Sequence, residues 1–123
     1  MEDKTIPSNF GRYIAIAEYL LFDRSTALSR STLLDQAMIQ PNYFFVDTIK
    51  KIHANHGRGE WFKTPDGIRR YKDVNALLSS IVDSFPSAGL PARFTLSEQS
   101  MIMISYNQQK SKLYETVKEE DKG

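Results

Sequence analysis

Apolar residues recur at helical spacing along most of the chain. After Pro7-Ser8-Asn9, the residues Phe10, Tyr13, Ile14, Ala17, Leu20 and Leu21 return at steps of three and four, which predicts a first helix. Ile16 and Tyr19 make its other face apolar too, and such a helix lies either at the centre of a bundle or beneath a partner. Asp23 to Ser31 is polar and rich in hydroxyls, which predicts a break before a short helix from about Thr32 through Leu33, Leu34 and Ala37. Pro41 suits the first position of a third helix reaching about Asn55, with Phe45, Ile49 and Ile52 on one stripe and Lys50 and Lys51 off it.

His56 to Gly67 contains three glycines and one proline and reads as a loop, pinned by Trp61-Phe62 and able to hold a short strand pairing around Gly59 to Lys63. From Gly67 the helical period returns with Ile68, Tyr71, Asn75, Leu78, Ile81, Val82 and Phe85. Pro86 and Pro91 end that helix. Thr95 then stands at an N-cap position with Glu98 three residues on, the pattern of a reciprocal capping box. The fifth helix is expected to turn Leu96, Ile102, Met103, Tyr106, Leu113, Tyr114 and Val117 inward, and its charged end, residues 118–123, to fray. The predicted fold is all-α, a compact bundle of about five helices in a single domain spanning residues 1–123.

A chain of 123 residues is long enough to bury a core without crosslinks, and with no cysteine it has neither disulfides nor thiolate metal sites. The acidic start Met1-Glu2-Asp3 and the short apolar runs predict a soluble, cytoplasmic protein without a membrane segment.

The net charge of +1 hides an uneven distribution: residues 1–48 carry −2, residues 49–72 carry +5 and residues 73–123 carry −2. The basic block holds Lys50, Lys51, Arg58, Lys63, Arg69, Arg70 and Lys72, interleaved with Trp61, Phe62 and Tyr71. Clustered cations of this kind bind phosphates, and they also serve simply as a solvated face. Arg12, Arg30 and Arg93 are secondary candidates, and Trp61 or Tyr71 could stack a base, although a large aromatic in a small helical domain is commonly core.

Candidates for catalysis are few. His53 and His56 have a ligand-like spacing, but no acidic partner stands near them, and a histidine at a helix end more simply caps carbonyls or meets phosphate. No serine sits in a nucleophile elbow, and His56-Gly57-Arg58-Gly59 lacks the ending of a phosphate loop. Neither an enzyme nor a cofactor is expected.

Two cassettes carry a family resemblance. Phe10-Gly11-Arg12-Tyr13-Ile14-Ala15-Ile16-Ala17-Glu18 resembles a leucine-glycine-arginine-leucine-phenylalanine-alanine-valine-leucine-glutamate start. Phe85-Pro86, Leu90-Pro91, Phe94, Leu96, Glu98-Gln99 and Tyr106-Asn107-Gln108-Gln109 resemble an ending of the form FP…L-x-LEEQ…GYYHQR, with Ser105, Asn107 and Lys110 as departures from it. Between them, Pro41-Asn42-Tyr43-Phe44-Phe45 leading to His53 and His56 is similar to a helix ending in paired histidines. Together, over about residues 9 to 114, the chain resembles the C-terminal helical region of the large subunit of the type I-C CRISPR effector complex, Cascade. In that family the region is also made separately from an internal start, and a chain opening at Met1 just before the first cassette fits that arrangement.

The resemblance implies a non-catalytic small subunit whose copies line the belly of the complex. Its implied partners are the backbone subunits, the large subunit, further copies of itself, and DNA of the displaced non-target strand or the target strand, contacted without sequence preference. In that setting the two-sided first helix, including Tyr19, is expected to be an assembly surface. Two other readings stay open. One is a regulator using Thr32 to Asn55 as a helix-turn-helix with Gly57 to Lys63 as a wing, although Tyr43-Phe44-Phe45 is apolar where base-reading side chains belong. The other is a protein adaptor without nucleic-acid contact.

Overall fold

The structure, a computed structural model, describes residues 5–22, 30–54, 63–86 and 89–122, with side chains described throughout these except at 22, 30–32 and 114–122. The described residues form five α-helices and no strand: α1 (Thr5–Phe22), α2 (Arg30–Ile39), α3 (Pro41–Ala54), α4 (Pro65–Asp83) and α5 (Leu96–Lys122). The strand pairing considered around Gly59 to Lys63 falls largely outside the described residues.

Each boundary has a local cause. Thr64, with extended backbone, caps α4 by accepting from the Gly67 amide at 3.0 Å, and Pro65 occupies a first-turn position where no amide is needed. The α5 capping box forms as the spacing predicts. The Glu98 amide donates to Thr95 Oγ1 at 3.1 Å, and the Thr95 amide donates to Glu98 Oε1 at 2.8 Å. α5 then continues to Lys122, through the stretch expected to fray. Gly89 lies in the left-handed region at φ 96°, and the turn it makes is tied to α3 by Asn42, which accepts from the Leu90 amide at 2.8 Å and donates to the Leu90 carbonyl at 2.6 Å.

The central element is α1. Phe10, Tyr13, Ile14, Ala15, Ile16, Ala17, Glu18, Tyr19 and Leu20 are all buried, so every side of the helix is covered by this chain's own elements. Tyr19 is 0 % exposed and is therefore not the assembly surface that its outer position on α1 suggested. α5 makes the most intimate cover. At Gly11 a Cβ would run into Ser105 Oγ and the Ile102 carbonyl oxygen, which shows how near the two backbones lie. Beside this crossing, Tyr106 donates a hydrogen bond to the buried Glu18 carboxylate at 2.5 Å, and Arg12 Nε donates to Gln109 Oε1 at 3.0 Å.

On the other flank, the Phe10 and Tyr13 rings pack among Phe44, Phe45, Phe85 and Phe94, and the Tyr13 hydroxyl lies 2.6 Å from Thr48 Oγ1. Pairing along α1 sets the directions. Phe10 meets Phe44 and Tyr13 meets Thr48, so α3 runs with α1. Asn9 meets Ser84 and Tyr19 meets Arg70, so α4 runs against it. α5 follows α1, from Gly11 against Ile102 to Tyr19, whose Arg70 neighbour reaches the Leu113 carbonyl.

α5 departs from its predicted inward set. Ile102, Tyr106 and Leu113 are buried, whereas Leu96 is 82 % and Met103 48 % exposed. The apolar residues of this helix are spread over two faces, and α1 covers only one of them.

Two consequences can be measured. Gly11→Ala is expected to cost more than about 2 kcal/mol, because the new methyl meets the Ile102 carbonyl and Tyr106 amide of the α5 backbone as well as Ser105 Oγ, and the backbone cannot turn aside; chemical denaturation reads this as a lower midpoint at an unchanged slope. Burial raises the Tyr13 phenol well above its ordinary value of 10.0, and the Thr48 hydrogen bond offsets this only in part. The folded state therefore holds that proton when the unfolded state has lost it. The contribution is fully present below about pH 10 and is lost as pH rises from there toward the folded value. Urea midpoints taken at about pH 8 and about pH 11 are expected to fall more for the wild type than for Tyr13→Phe.

Candidate functional site

The helix directions bring one set of ends together: the C-termini of α1 and α3, the N-terminus of α4, and the later turns of α5. Lys50 and Lys51 lie near the end of α3, Lys63 just precedes α4, and Arg69, Arg70 and Lys72 lie on its first turns. The basic block of the sequence thus becomes a basic end of the bundle. α5 adds to it Lys112, one residue before the Leu113 carbonyl that Arg70 reaches, and Lys110, whose ammonium sits 5.7 Å from the Tyr106 ring centroid. These two lysines were hidden in the sequence because they fall in a segment whose net charge is negative; only the packing of α5 beside α4 joins them to the block.

The candidate cations are not equivalent. Lys50 and Lys72 are exposed, and neither has an ion pair among the described residues; Lys63 is exposed as well. Lys51 holds Asp47 at 3.0 Å, one helical turn away. Arg69 holds Asp66 at 2.5 Å in a pair exposed on both sides, which leaves it free to exchange partners at little cost.

Arg70 is different. Its guanidinium turns inward, 5.6 Å from the Tyr19 ring centroid, with Nη2 donating to the Leu113 carbonyl at 3.1 Å and Nε donating to Tyr19 Oη at 3.4 Å. That geometry makes it a clamp between α4, α1 and α5 rather than a member of an outward phosphate track. Arg12 is likewise committed to Gln109, and Arg93 lies at the opposite end of the bundle. Arg58 lies outside the described residues, as do His56 and Trp61, and so does the Arg30 side chain.

Tyr71 is only 4 % exposed and takes its place in the core, so no base can stack on it; burial raises its phenol. Among the described residues the exposed aromatic is instead Tyr43, at 68 %. His53 is exposed on α3, and no group of three or more potential metal-ligating side chains occurs among the described residues. No helix of the described residues is long and apolar enough to cross a membrane.

The helix-turn-helix geometry does not form. α2 and α3 are separated by the single residue Gln40, and the backbone ladder passes across it, from the Gln40 amide to the Gln36 carbonyl and from the Phe44 amide to the Gln40 carbonyl, both at 2.9 Å. A recognition helix set across its neighbour needs a turn of three or four residues there. The chain matches no protein-family model, no curated protein and no solved structure.

The division of labour among the cations is open to test. Arg70→Ala is expected to destabilise the fold by about 1–3 kcal/mol, since it removes the stacked charge and the hydrogen bonds that tie α4 to α1 and α5, whereas Lys50→Ala and Lys72→Ala stay within about 0.5 kcal/mol of the wild type. Thermal melts of the three variants read the difference.

Proposed function

We propose that this chain is a non-catalytic small subunit of a type I CRISPR RNA-guided surveillance complex (Cascade). It packs along the belly against backbone subunits, the large subunit and further copies of itself, and it steadies the R-loop through contacts to DNA backbone that ignore sequence. The observation that carries the reading is the meeting of the two cassettes on which the family resemblance rests. The first is the centre of α1, and the second runs from Phe85, just past α4, by way of Leu90 and Phe94 into the first half of α5. Their residues touch directly: Phe10 with Phe94 at 5.4 Å between ring centroids, Gly11 beside Tyr106, and Glu18 accepting from the Tyr106 hydroxyl. The two stretches on which the resemblance rests thus meet in contacts that hold this fold together.

The basic end supports the DNA half of the reading. R-loop formation exchanges a duplex for a hybrid of nearly equal stability, so a few phosphate contacts can tip the balance. Lys50 and Lys72 are exposed cations without ion pairs among the described residues, and Lys63, Lys51 and Arg69 are exposed beside them; backbone contacts from such side chains suit binding that reads no base edges. The protein half draws on the outer face of α5, where Leu96, Met103 and Ile104 are exposed.

The test is reconstitution of type I-C Cascade with and without this chain, with stoichiometry read from native mass. The expected outcome is incorporation in more than one copy and weaker target-DNA binding on omission, with the backbone and guide RNA assembly intact. A chain that neither joins the complex nor alters its DNA binding would sink the proposal. Charge reversal at Lys50 and Lys72 separates it from an adaptor: the subunit still assembles but supports R-loops poorly, whereas an adaptor loses its protein partner.

A further inference from the structure

The α2–α3 ridge presents an unusual sequence of exposed side chains. Ile39, Tyr43, Val46 and Lys50 follow at steps of four, three and four, opposite the face that buries Phe44, Thr48 and Ile52. The Tyr43 ring is 68 % exposed and makes no hydrogen bond or ring contact among the described residues. Two helical turns on, about 10 Å along the axis, stands the exposed Lys50 ammonium, with Lys51 and His53 beyond it toward the basic end. The one carboxylate on this part of the ridge, Asp47, is neutralised by Lys51 at 3.0 Å.

A flat apolar ring followed by the Lys50 cation, which has no ion pair among the described residues, matches the two surfaces of an unpaired strand, stacked base face and charged backbone. A duplex offers only the second, because its base faces are stacked internally. We infer that Tyr43 is a stacking platform for a base of single-stranded nucleic acid whose backbone continues over Lys50 toward the basic end. Val46, between the two, provides an apolar floor beneath the sugar. The inference rests on the nucleic-acid contact of the proposed function and adds to it a strand preference and the residue that imposes it. The charge pattern selects this ligand over a protein helix: a helix seated on Ile39, Tyr43 and Val46 would have to end against the Lys50 ammonium, which an extended polyanion instead follows.

The experiment is fluorescence anisotropy of the whole chain with a labelled oligothymidylate of about 20 nucleotides and with a duplex of similar length. The wild type is expected to favour the single strand. Tyr43→Ala is expected to weaken single-strand binding about tenfold with little change for duplex and no change in salt dependence, since no charge is removed. Tyr43→Phe keeps the ring and should keep the affinity, whereas Lys50→Ala lowers the salt slope by about one unit on either ligand. Because Tyr43 is exposed, unchanged thermal melts verify that the variants fold.

Single-strand affinity unaltered by Tyr43→Ala overturns the inference; if Lys50→Ala still weakens binding, the phosphate contacts of the proposed function survive it. Tyr43→Ala that spares DNA binding but abolishes incorporation into Cascade also overturns it, making the ridge a protein surface. Conversely, a wild-type chain that shows the Tyr43-dependent preference but does not enter Cascade removes the proposed function and leaves this inference standing.

Discussion

Every other element of this protein is arranged around the need to cover α1. A helix of 18 residues whose apolar side chains from Phe10 to Leu20 point to several sides has little to offer water, so the remaining helices must approach it from several sides at once. α5 satisfies the most demanding part of this by lying against Gly11, where the missing side chain lets the two backbones approach. α3 and α4 close the opposite flank through the rings of Phe44, Phe45 and Phe85. Edge-to-face and tilted ring packing of this kind favours particular orientations over a merely greasy contact.

Apolar coverage alone permits a helix to rotate or slide, and the buried polar contacts remove that freedom. Glu18 with Tyr106, Tyr13 with Thr48, Arg12 with Gln109 and Arg70 with the Leu113 carbonyl each join elements far apart in sequence at one relative position. Breaking the two buried ones, Glu18 with Tyr106 and Tyr13 with Thr48, takes partners from polar groups away from water, so alternative registers are penalised more than the native one is stabilised. The same contacts explain why some of this chain's cations are unavailable for ligands: Arg12 and Arg70 are already engaged in holding the bundle.

Once those two are set aside, the remaining positive charge has a clear polarity. Because α1, α3 and α5 share a direction and α4 opposes them, the late residues of three helices and the early residues of the fourth converge. Cations dispersed from Lys50 to Lys112 are thereby gathered at one end, while Asp83, Glu98 and Arg93 lie toward the other. The exposed apolar residues fall elsewhere, on the outer ridges of α3 and α5. A small protein with one charged end and separate apolar ridges has room to meet a polyanion and protein neighbours at the same time, which is the demand the proposed role places on it.

Much of the local structure was legible from the residues alone. Helical periodicity identified the five helices, the Thr95 and Glu98 spacing located the start of α5, and the basic block between Lys50 and Lys72 stood out in the charge distribution. These are properties of near neighbours, and spacing along a helix determines which residues share a face. It does not determine what covers that face. Only the tertiary structure decided that the second apolar side of α1, including Tyr19, is buried by this chain rather than by a partner. Packing likewise turned Leu96 and Met103 outward, drew Arg70 into a clamp, buried Tyr71 while leaving Tyr43 bare, and brought Lys110 and Lys112 to the basic end. Each of these outcomes depends on which helix lies beside which and in what direction, and such contacts between residues far apart in the chain leave no periodic trace in the sequence.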